Sequence, residues 1–185
     1  MTIGNSNMKI QQTPIPGVLI IENDLFPDDR GVFWESFQKE KLVAEGFPQN
    51  FQPVQINFVK NNQVGVLRGI HAEPWEKYVS VITGTATGVY VDLRKGDSFG
   101  KVVYVELKPG VAVFLPAGIG NSYQTTEDNT YYVYAVSGHW KAGEKYIGVS
   151  PFDPTLAINW PIGKDKALLS EKDALLPGLS EITPL

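Results

Sequence analysis

Several features that define large classes of proteins are missing from this sequence of 185 residues. It contains no cysteine, which excludes disulfides, thiolate metal sites and a cysteine nucleophile. No apolar run approaches the ~20 residues that a membrane-spanning helix requires. The chain does not open with the basic and then apolar segments of a secretory leader. We therefore expect a cytoplasmic protein that has no membrane partner.

Positive charge is also limited. The chain has 16 Lys and Arg against 20 Asp and Glu, which gives a formal net charge of −4. A general nucleic-acid surface requires a basic face, so no nucleic-acid partner is expected. An anionic small molecule would have to be held by a few specifically placed Arg and Lys side chains.

The residues that are abundant indicate β structure. Eighteen Gly and thirteen Pro separate short segments rich in Val, Ile, Tyr and Phe. The regular spacing of these segments predicts an all-β sandwich or barrel. The predicted strands are Gly17–Asn23, Val54–Val59, Val64–Ile70, Lys77–Thr83, Thr85–Leu93, Lys101–Leu107, Val111–Pro116, Thr130–Val136 and Tyr146–Val149.

Helical signals are few. Gln38–Gly46 predicts one short helix, and the capping box Ser170–Asp173 predicts a short turn that stops at Pro177. Neither element is interpreted as catalytic. We expect residues 1–185 to form a single domain, with a barrel over about 10–160, frayed residues 1–9, and a segment 161–185 packed outside the barrel.

One of only two histidines lies in the stretch VLRGIHAEPWEKYV. His71 follows Arg68 by three residues and precedes Lys77 by six, and both cations would be expensive to bury without a partner. A bulge at Gly69 would turn Arg68 and His71 into one cavity. In that cavity the two cations, Arg68 and Lys77, could hold an anionic substrate beside the neutral imidazole of His71, which would act as a base if an acid orients it. The alternative is a hydrogen-bonded barrel histidine without a catalytic role.

Two hairpins resemble the metal-binding motifs of cupins, but they lack most of the ligands. GIHAE contains His71 and Glu73, and PAGIGN ends at Asn121, where the motif has its last histidine. Transition-metal sites in proteins depend mainly on imidazole and thiolate ligands. We therefore expect no metal.

Further blocks follow one another in a specific order and spacing over residues 14–177. They are PGVLIIE from Pro16, FPDDRGVFWESF from Phe26, FQPVQIN from Phe51, VLRGIH from Val66, KYVSVITG from Lys77, VDLRKG from Val91, SFG from Ser98, LPAG from Leu115, DP at Asp153, INWP from Ile158 and LSEKD from Leu169. Together they resemble dTDP-4-dehydrorhamnose 3,5-epimerases, which are nucleotide-sugar enzymes of the cupin superfamily. The resemblance implies a jelly-roll β-barrel and an isomerase that needs no cofactor.

The resemblance also implies catalytic roles. His71 matches the base that removes a proton beside the 4-keto group, and Asp153 of the DP step matches the acid that holds its imidazole. Tyr134 matches the proton donor to the opposite face, with Tyr132 as a rival two residues earlier. Lys77 matches the residue that steadies the enolate oxygen. Asp153 could instead be a simple turn residue, because Asp-Pro steps often fill that role.

Other positions match contacts to the nucleotide sugar. They are Arg30, Glu35, Gln55, Asn57 and Arg68, and Asn121 keeps the ability to form a hydrogen bond. Proteins with this resemblance are typically homodimers in which an N-terminal segment serves the neighbouring subunit. Arg30 and Glu35 are therefore candidates for the partner's site.

The expected chemistry requires no nicotinamide or metal, because a ketone acidifies its neighbouring C–H bonds. The sequence accordingly has neither a G-x-G-x-x-G fingerprint nor a P-loop. Several positions depart from the family pattern: Ala72 and Glu73 replace the usual aromatic-Gln pair, Asn121 replaces the usual second His, and the sequence around Asp153 differs from the usual W-D/N-D-P. They leave open a single-centre epimerase, or a cupin that binds nucleotide sugars without turning them over. A metal-dependent cupin would need more ligands than the sequence offers.

Overall fold

The computed structural model describes residues 7–144 and 146–185, most of which lie in antiparallel sheets. The strands, in chain order, are β1 (Met8–Gln12), β2 (Leu19–Asn23), β3 (Phe26–Asp28), β4 (Gly31–Phe33), β5 (Gln55–Asn61), β6 (Leu67–Ala72), β7 (Lys77–Thr83), β8 (Ala86–Asp92), β9 (Val102–Leu107), β10 (Val111–Leu115), β11 (Ile119–Thr125), β12 (Thr130–Val136) and β13 (Ile147–Val149). The α-helices are α1 (Lys39–Ala44) and α2 (Glu171–Ala174), and short 3-10 turns cover Lys164–Lys166 and Leu179–Glu181.

Two sheets face each other, and a small hairpin stands apart from them. The larger sheet has the order β1-β2-β10-β7-β12-β5, and the second has the order β13-β6-β11-β8-β9. Strands β3 and β4 pair only with each other. The crossovers between the sheets are those of a jelly roll, in which most neighbours in a sheet are distant in the chain. This confirms the prediction of an all-β barrel or sandwich.

Apolar side chains from both sheets form the central core. Strands β7, β10 and β12 of the larger sheet and β8, β9 and β11 of the second contribute to one buried cluster, whose largest side chains are Tyr90, Tyr123 and Tyr132. The residues on β7 alternate, so that Val79 and Val81 point into this cluster. The core fills one part of the barrel and leaves a cavity at the end where β7 begins.

The outer faces of the two sheets are covered differently. The C-terminal segment packs over the second sheet, where Leu156, Trp160 and Leu179 join a buried cluster. Helix α1 packs over part of the larger sheet, with Leu42 fully buried. Around this helix, aromatic rings meet edge to face, as Phe47 does with Phe114 at a centroid distance of 4.9 Å.

The predicted strands correspond to β2, β5 to β10, β12 and β13, with ends that differ by up to three residues. Strands β1, β3, β4 and β11 were not predicted from the sequence. The expectation of a frayed start is wrong for Met8 and Lys9, which lie in β1, and residues 1–6 lie outside the described part of the chain.

Strand β11 was missed because its buried residues are largely polar. Ser122, Gln124 and Thr125 are all fully buried, and each is hydrogen-bonded rather than exposed to solvent. A search for alternating apolar residues does not detect such a strand. None of the helices in the described ranges is long and apolar enough to cross a membrane.

Candidate active site

A cavity of about 230 Å³ opens at one end of the barrel, between the two sheets. Strands β6 and β11 of the second sheet and β7 and β12 of the larger one line it together with α2. The lining residues are Val59, Arg68, Gly69, His71, Glu73, Lys77, Asn121, Tyr123, Tyr132, Tyr134 and Asp173. Predicted catalytic and binding residues that are far apart in the sequence therefore meet in one place.

A bulge in β6 brings Arg68 and His71 to the same cavity. His71 pairs with Asn121 of β11 and Arg68 pairs with Tyr123, so three steps along β6 oppose two steps along β11. The extra residue changes the alternation of the strand, and both side chains turn inward. This confirms the predicted bulge at Gly69.

His71 is bonded to a carboxylate, but that carboxylate belongs to Asp173. The imidazole Nε2 lies 2.7 Å from Asp173 Oδ1. The His71 side chain is 30% exposed and that of Asp173 is 8% exposed. Burial alone would raise the pKa of Asp173, but hydrogen bonds from His71 and from the Gly69 N–H, together with the charge of His71, hold it at about 2. The ionised carboxylate must accept from Nε2–H, which leaves the other ring nitrogen free to take a proton.

Two glycines make room for this pair. A Cβ at Gly69 would lie 2.8 Å from Asp173 Oδ1, and a Cβ at Gly148 would lie 2.5 Å from Leu176 and 3.3 Å from the Nδ1 of His71. Any larger residue at either position would push α2 or the imidazole aside. The Gly of the R-G-x-H block is therefore explained by the approach of Asp173.

The capping box at Ser170 positions Asp173. The Ser170 hydroxyl accepts from the Asp173 backbone N–H at 3.1 Å, which begins the short helix α2. The capping box was evident in the sequence, but the hydrogen bond from His71 to the acid in this box was not. The signal for this acid was the capping box in the LSEKD block, whose fourth residue is Asp173. The structure shows that Asp173 is buried.

The predicted pairing of Asp153 with His71 is not formed. The Asp153 carboxylate instead accepts from three backbone N–H groups, those of Thr155 at 2.8 Å, Leu156 at 3.1 Å and Leu179 at 2.8 Å. Burial tends to raise the pKa of Asp153, but these bonds hold it below its usual value. Asp153 is therefore a turn residue, which was the alternative interpretation of the Asp-Pro step. It joins the C-terminal segment to the barrel.

Lys77, at the start of β7, is buried and paired with a second carboxylate. Its side chain is 5% exposed and forms an ion pair with Glu73, four residues earlier. Its Nζ also lies 3.4 Å from the His71 carbonyl oxygen. Burial lowers the pKa of Lys77, while the charge and hydrogen bond of Glu73 act against this lowering. Glu73 had no role predicted from the sequence.

Tyrosines of β12 form the opposite wall. Tyr132 is 1% exposed; it stacks on Tyr123 at a centroid distance of 4.0 Å and donates to Asn121 Oδ1 at 2.9 Å. Tyr134 is only half-buried and lines both this cavity and the one beside it. Burial and the nearby charge of Glu73 raise the pKa of Tyr134, which favours the protonated phenol. Both candidates line the cavity, but Tyr134 is the more exposed of the two.

A second cavity of about 200 Å³ adjoins the first and shares Glu73, Lys77 and Tyr134 with it. Its other lining residues are Gln55, Asn57, Trp75, Val136 and Trp140. Gln55 Nε2 donates to Asn57 Oδ1 at 2.7 Å, so the two β5 amides form one polar edge. Together the two cavities make a continuous cleft.

The remaining predicted contacts lie in different places. Arg68 lines the first cavity, where it donates to Asn61 at 3.3 Å. Arg30 is in the β3–β4 turn, where it pairs with Asp28 at 2.7 Å, and Glu35 pairs with Lys41 at 2.5 Å. Neither Arg30 nor Glu35 lines the cleft of its own chain.

The cleft contains the components that proton transfer beside a carbonyl group requires. It has an imidazole held by a carboxylate, a buried ammonium group and a phenol on the opposite wall. No group of three or more His, Asp or Glu residues that could hold a metal occurs in the described ranges 7–144 and 146–185.

A model of the dTDP-4-dehydrorhamnose 3,5-epimerase family matches residues 12–181. The chain belongs to this family of isomerases. The RmlC homolog of Streptococcus pyogenes serotype M6 is 39% identical over an alignment of 176 residues, and the alignment covers 92% of this chain and 89% of that protein. The structure of RmlC from Streptococcus suis, in complex with dTDP-D-xylose, has a TM-score of 0.92 and 36% identity, and covers 97% of this chain and 95% of that one. A dTDP-4-dehydro-6-deoxyglucose 3-epimerase from a Streptomyces species is 33% identical over an alignment of 173 residues, and the alignment covers 90% of this chain and 86% of that protein.

Proposed function

We propose that this isomerase inverts the carbons on both sides of the ketone in a dTDP-linked 4-keto-6-deoxyhexose, as in the synthesis of dTDP-4-dehydrorhamnose. The observation that carries the proposal is the His71–Asp173 pair, 2.7 Å apart and open to a cavity that also holds Lys77 and Tyr134. Such a set supplies a base, an acid and a positive charge around one substrate carbon.

The reaction begins with removal of a proton from the carbon beside the ketone. The C–H bond breaks, the ring nitrogen of His71 that is not bonded to Asp173 takes the proton, and the electron pair moves to the ketone oxygen as an enolate. Asp173 stabilises the imidazolium, and the Lys77 ammonium stabilises the enolate oxygen. Neither an oxidant nor a reductant is consumed.

Inversion is completed from the opposite wall. The phenol of Tyr134 gives its proton to the other face of the carbon, and the enolate returns to the ketone. The raised pKa of Tyr134 keeps this group protonated until it acts. Solvent then returns a proton to Tyr134, and His71 releases its own, so the enzyme regains its starting state. The second carbon follows the same steps.

The nucleotide is assigned to the adjoining part of the cleft. Trp75 and Trp140 line it beside the polar edge of Gln55 and Asn57, a combination that suits a base which stacks and forms hydrogen bonds. Arg68, in the first cavity, is placed to contact the sugar or the diphosphate. Asn121 lies across β11 from His71, where its amide can contact the sugar.

We further propose a cytoplasmic homodimer in which residues 1–185 act as one domain. Part of the outer face of the larger sheet is apolar and open, with Ile56 at 58% and Phe58 at 67% exposure. It lines an apolar cavity of about 440 Å³ together with Val32 and Phe33 of the β3–β4 hairpin. A second copy on this face would cover the patch. In that arrangement Arg30, at the tip of the hairpin, and the nearby Glu35 would reach the cleft of the other subunit.

A single-centre epimerase is the second candidate. It is favoured by the identity to a 3-epimerase and by the departures from the family pattern at Glu73 and Asn121. A protein that binds the nucleotide sugar without turnover would have no need of the His71–Asp173 pair.

Proton exchange distinguishes these candidates. We would incubate the protein with dTDP-4-keto-6-deoxyglucose in deuterated water and follow C3 and C5 by NMR, with His71→Ala as the control. Deuterium at both carbons, lost in the variant, is the expected result. Deuterium at one carbon selects the single-centre epimerase. Tight binding without any exchange contradicts the proposed reaction.

A further inference from the structure

Glu73 stands where the two parts of the cleft meet. It follows β6 directly and lines both cavities. Its side chain is 15% exposed, and its carboxylate forms an ion pair with Lys77, whose side chain is 5% exposed. A pair this deeply buried is more than a surface ion pair, because neither charge has much water available to it.

The other charged groups of the cavity are differently engaged. Asp173 is bonded to His71, and Arg68 donates to Asn61. The ionisable groups that line the first cavity together with Lys77 are Arg68, His71, Glu73, Tyr123, Tyr132, Tyr134 and Asp173, and Tyr146 is near Glu73. In the described ranges 7–144 and 146–185, Glu73 is the only carboxylate that forms an ion pair with Lys77.

We infer that Glu73 is a positioning residue that keeps the Lys77 ammonium charged and fixed in the cleft. The inference rests on the proposed function in one respect only, which is that the reaction uses the charge of Lys77. Glu73 and Lys77 are four residues apart across the β6–β7 turn, so the ion pair forms within this turn and needs no bound substrate.

Two opposing effects act on the protonation of Lys77. Burial favours the neutral amine and lowers the pKa of Lys77, whereas the carboxylate of Glu73 favours the ammonium form. An uncharged group of the same shape at position 73 would remove the second effect and leave the first. The amine would then lose its proton at a lower pH, and the cleft would lose the charge that faces the enolate oxygen.

The Glu73 carboxylate neutralises the lysine in the resting cleft, so the net charge that the substrate meets depends more on Arg68. We therefore expect Glu73 to affect turnover more than binding, because the ammonium acts on charge that develops only during the reaction.

The test compares Glu73→Gln with Glu73→Asp, which retains the charge. As the matched control we choose Glu76→Gln, because Glu76 is also an acid near Lys77 and its backbone N–H, rather than its carboxylate, is bonded to Ser137 at 3.0 Å. The substrate-free proteins are labelled with ¹³C-lysine, and the Lys77 signal, identified by its loss in Lys77→Met, is titrated by NMR. The pH profile of kcat is then measured for each.

In Glu73→Gln the Lys77 titration should move down by about one pH unit or more, and the alkaline limb of kcat should move with it, while KM changes by less than about threefold. Glu73→Asp should restore much of both, and Glu76→Gln should match the parent. An unchanged Lys77 titration in Glu73→Gln overturns the inference. If the Lys77 titration shifts but the alkaline limb of the kcat profile does not, the linkage between Glu73 and Lys77 is supported and the proposed role of Lys77 in the reaction is overturned.

Discussion

Two carboxylate–base pairs share one cleft, and they differ in almost every physical respect. The Asp173–His71 pair joins residues 102 positions apart, and the imidazole is 30% exposed. The Glu73–Lys77 pair is local, and the ammonium is 5% exposed. The imidazole of His71 is therefore partly open to solvent, whereas the amine of Lys77 is enclosed.

In the proposed reaction, this difference suits the two groups to different tasks. Proton transfer requires a group that gains and loses a proton in each cycle, and His71 has that freedom. Stabilisation of an enolate requires a fixed positive charge that needs no reorganisation, which is the role proposed for Lys77. Each pair can be disturbed separately by substitution, and the base should show the largest effect.

Removal of the mobile base should be the most damaging change. His71→Asn keeps a polar side chain of similar reach but cannot take up a proton at neutral pH, so we expect kcat to fall by about 10³-fold or more. Binding of dTDP, measured by calorimetry, should change by less than about threefold. A kcat within tenfold of the parent would remove His71 from the reaction.

Removal of the fixed charge should lower both activity and stability. Lys77→Met should reduce kcat by about 10²- to 10³-fold, as the loss of one group that stabilises an oxyanion does. It also leaves Glu73 buried without a partner, at a cost of about 3–5 kcal/mol in the free energy of unfolding. The double variant Glu73→Gln/Lys77→Met should regain most of this stability and none of the activity. Recovery of activity in the double variant would contradict the role of Lys77.

The two tyrosines should separate turnover from packing. Tyr134→Phe should lower the rate of inversion by about 10²-fold, while His71 still exchanges the substrate proton with solvent. Tyr132→Phe leaves Asn121 without its donor and should lower the free energy of unfolding by about 1 kcal/mol with a smaller effect on kcat. Thermal denaturation and the exchange assay measure the two effects. The reverse ranking would make Tyr132 the acid.

Acid should weaken the Asp173–His71 pair in a defined range of pH. Because the pKa of Asp173 is about 2 in the folded protein, against 3.8 for an unperturbed aspartate, its contribution is complete above about pH 4 and is lost as the pH falls to about 2. The shift corresponds to about 2 kcal/mol. Asp173→Asn should remove this part of the acid sensitivity, which urea unfolding at several pH values would measure. An unchanged acid sensitivity would show that the pair does not hold in solution.

The barrel and most of the cleft could be predicted from the sequence, since strands β5 to β10 and β12 have apolar patterns and His71 and Lys77 lie in recognisable blocks. Tyr134 was matched through the family resemblance, with Tyr132 as a rival. Prediction failed where local signals had two meanings. The Asp153-Pro step and the Ser170 capping box each place an acid at a turn, and only tertiary packing decides which carboxylate reaches the imidazole. Strand β11 was missed because its buried side chains satisfy hydrogen bonds instead of following an apolar alternation.

The most direct test of the account compares Asp173→Asn with Asp153→Asn, the same substitution at the two acids. We predict that Asp173→Asn lowers kcat by about 10²-fold or more, because the imidazolium loses its carboxylate. Asp153→Asn should keep kcat within about threefold and lower the melting temperature by several degrees, because it weakens bonds to three backbone N–H groups. Loss of kcat in Asp153→Asn, with Asp173→Asn active, would contradict the account.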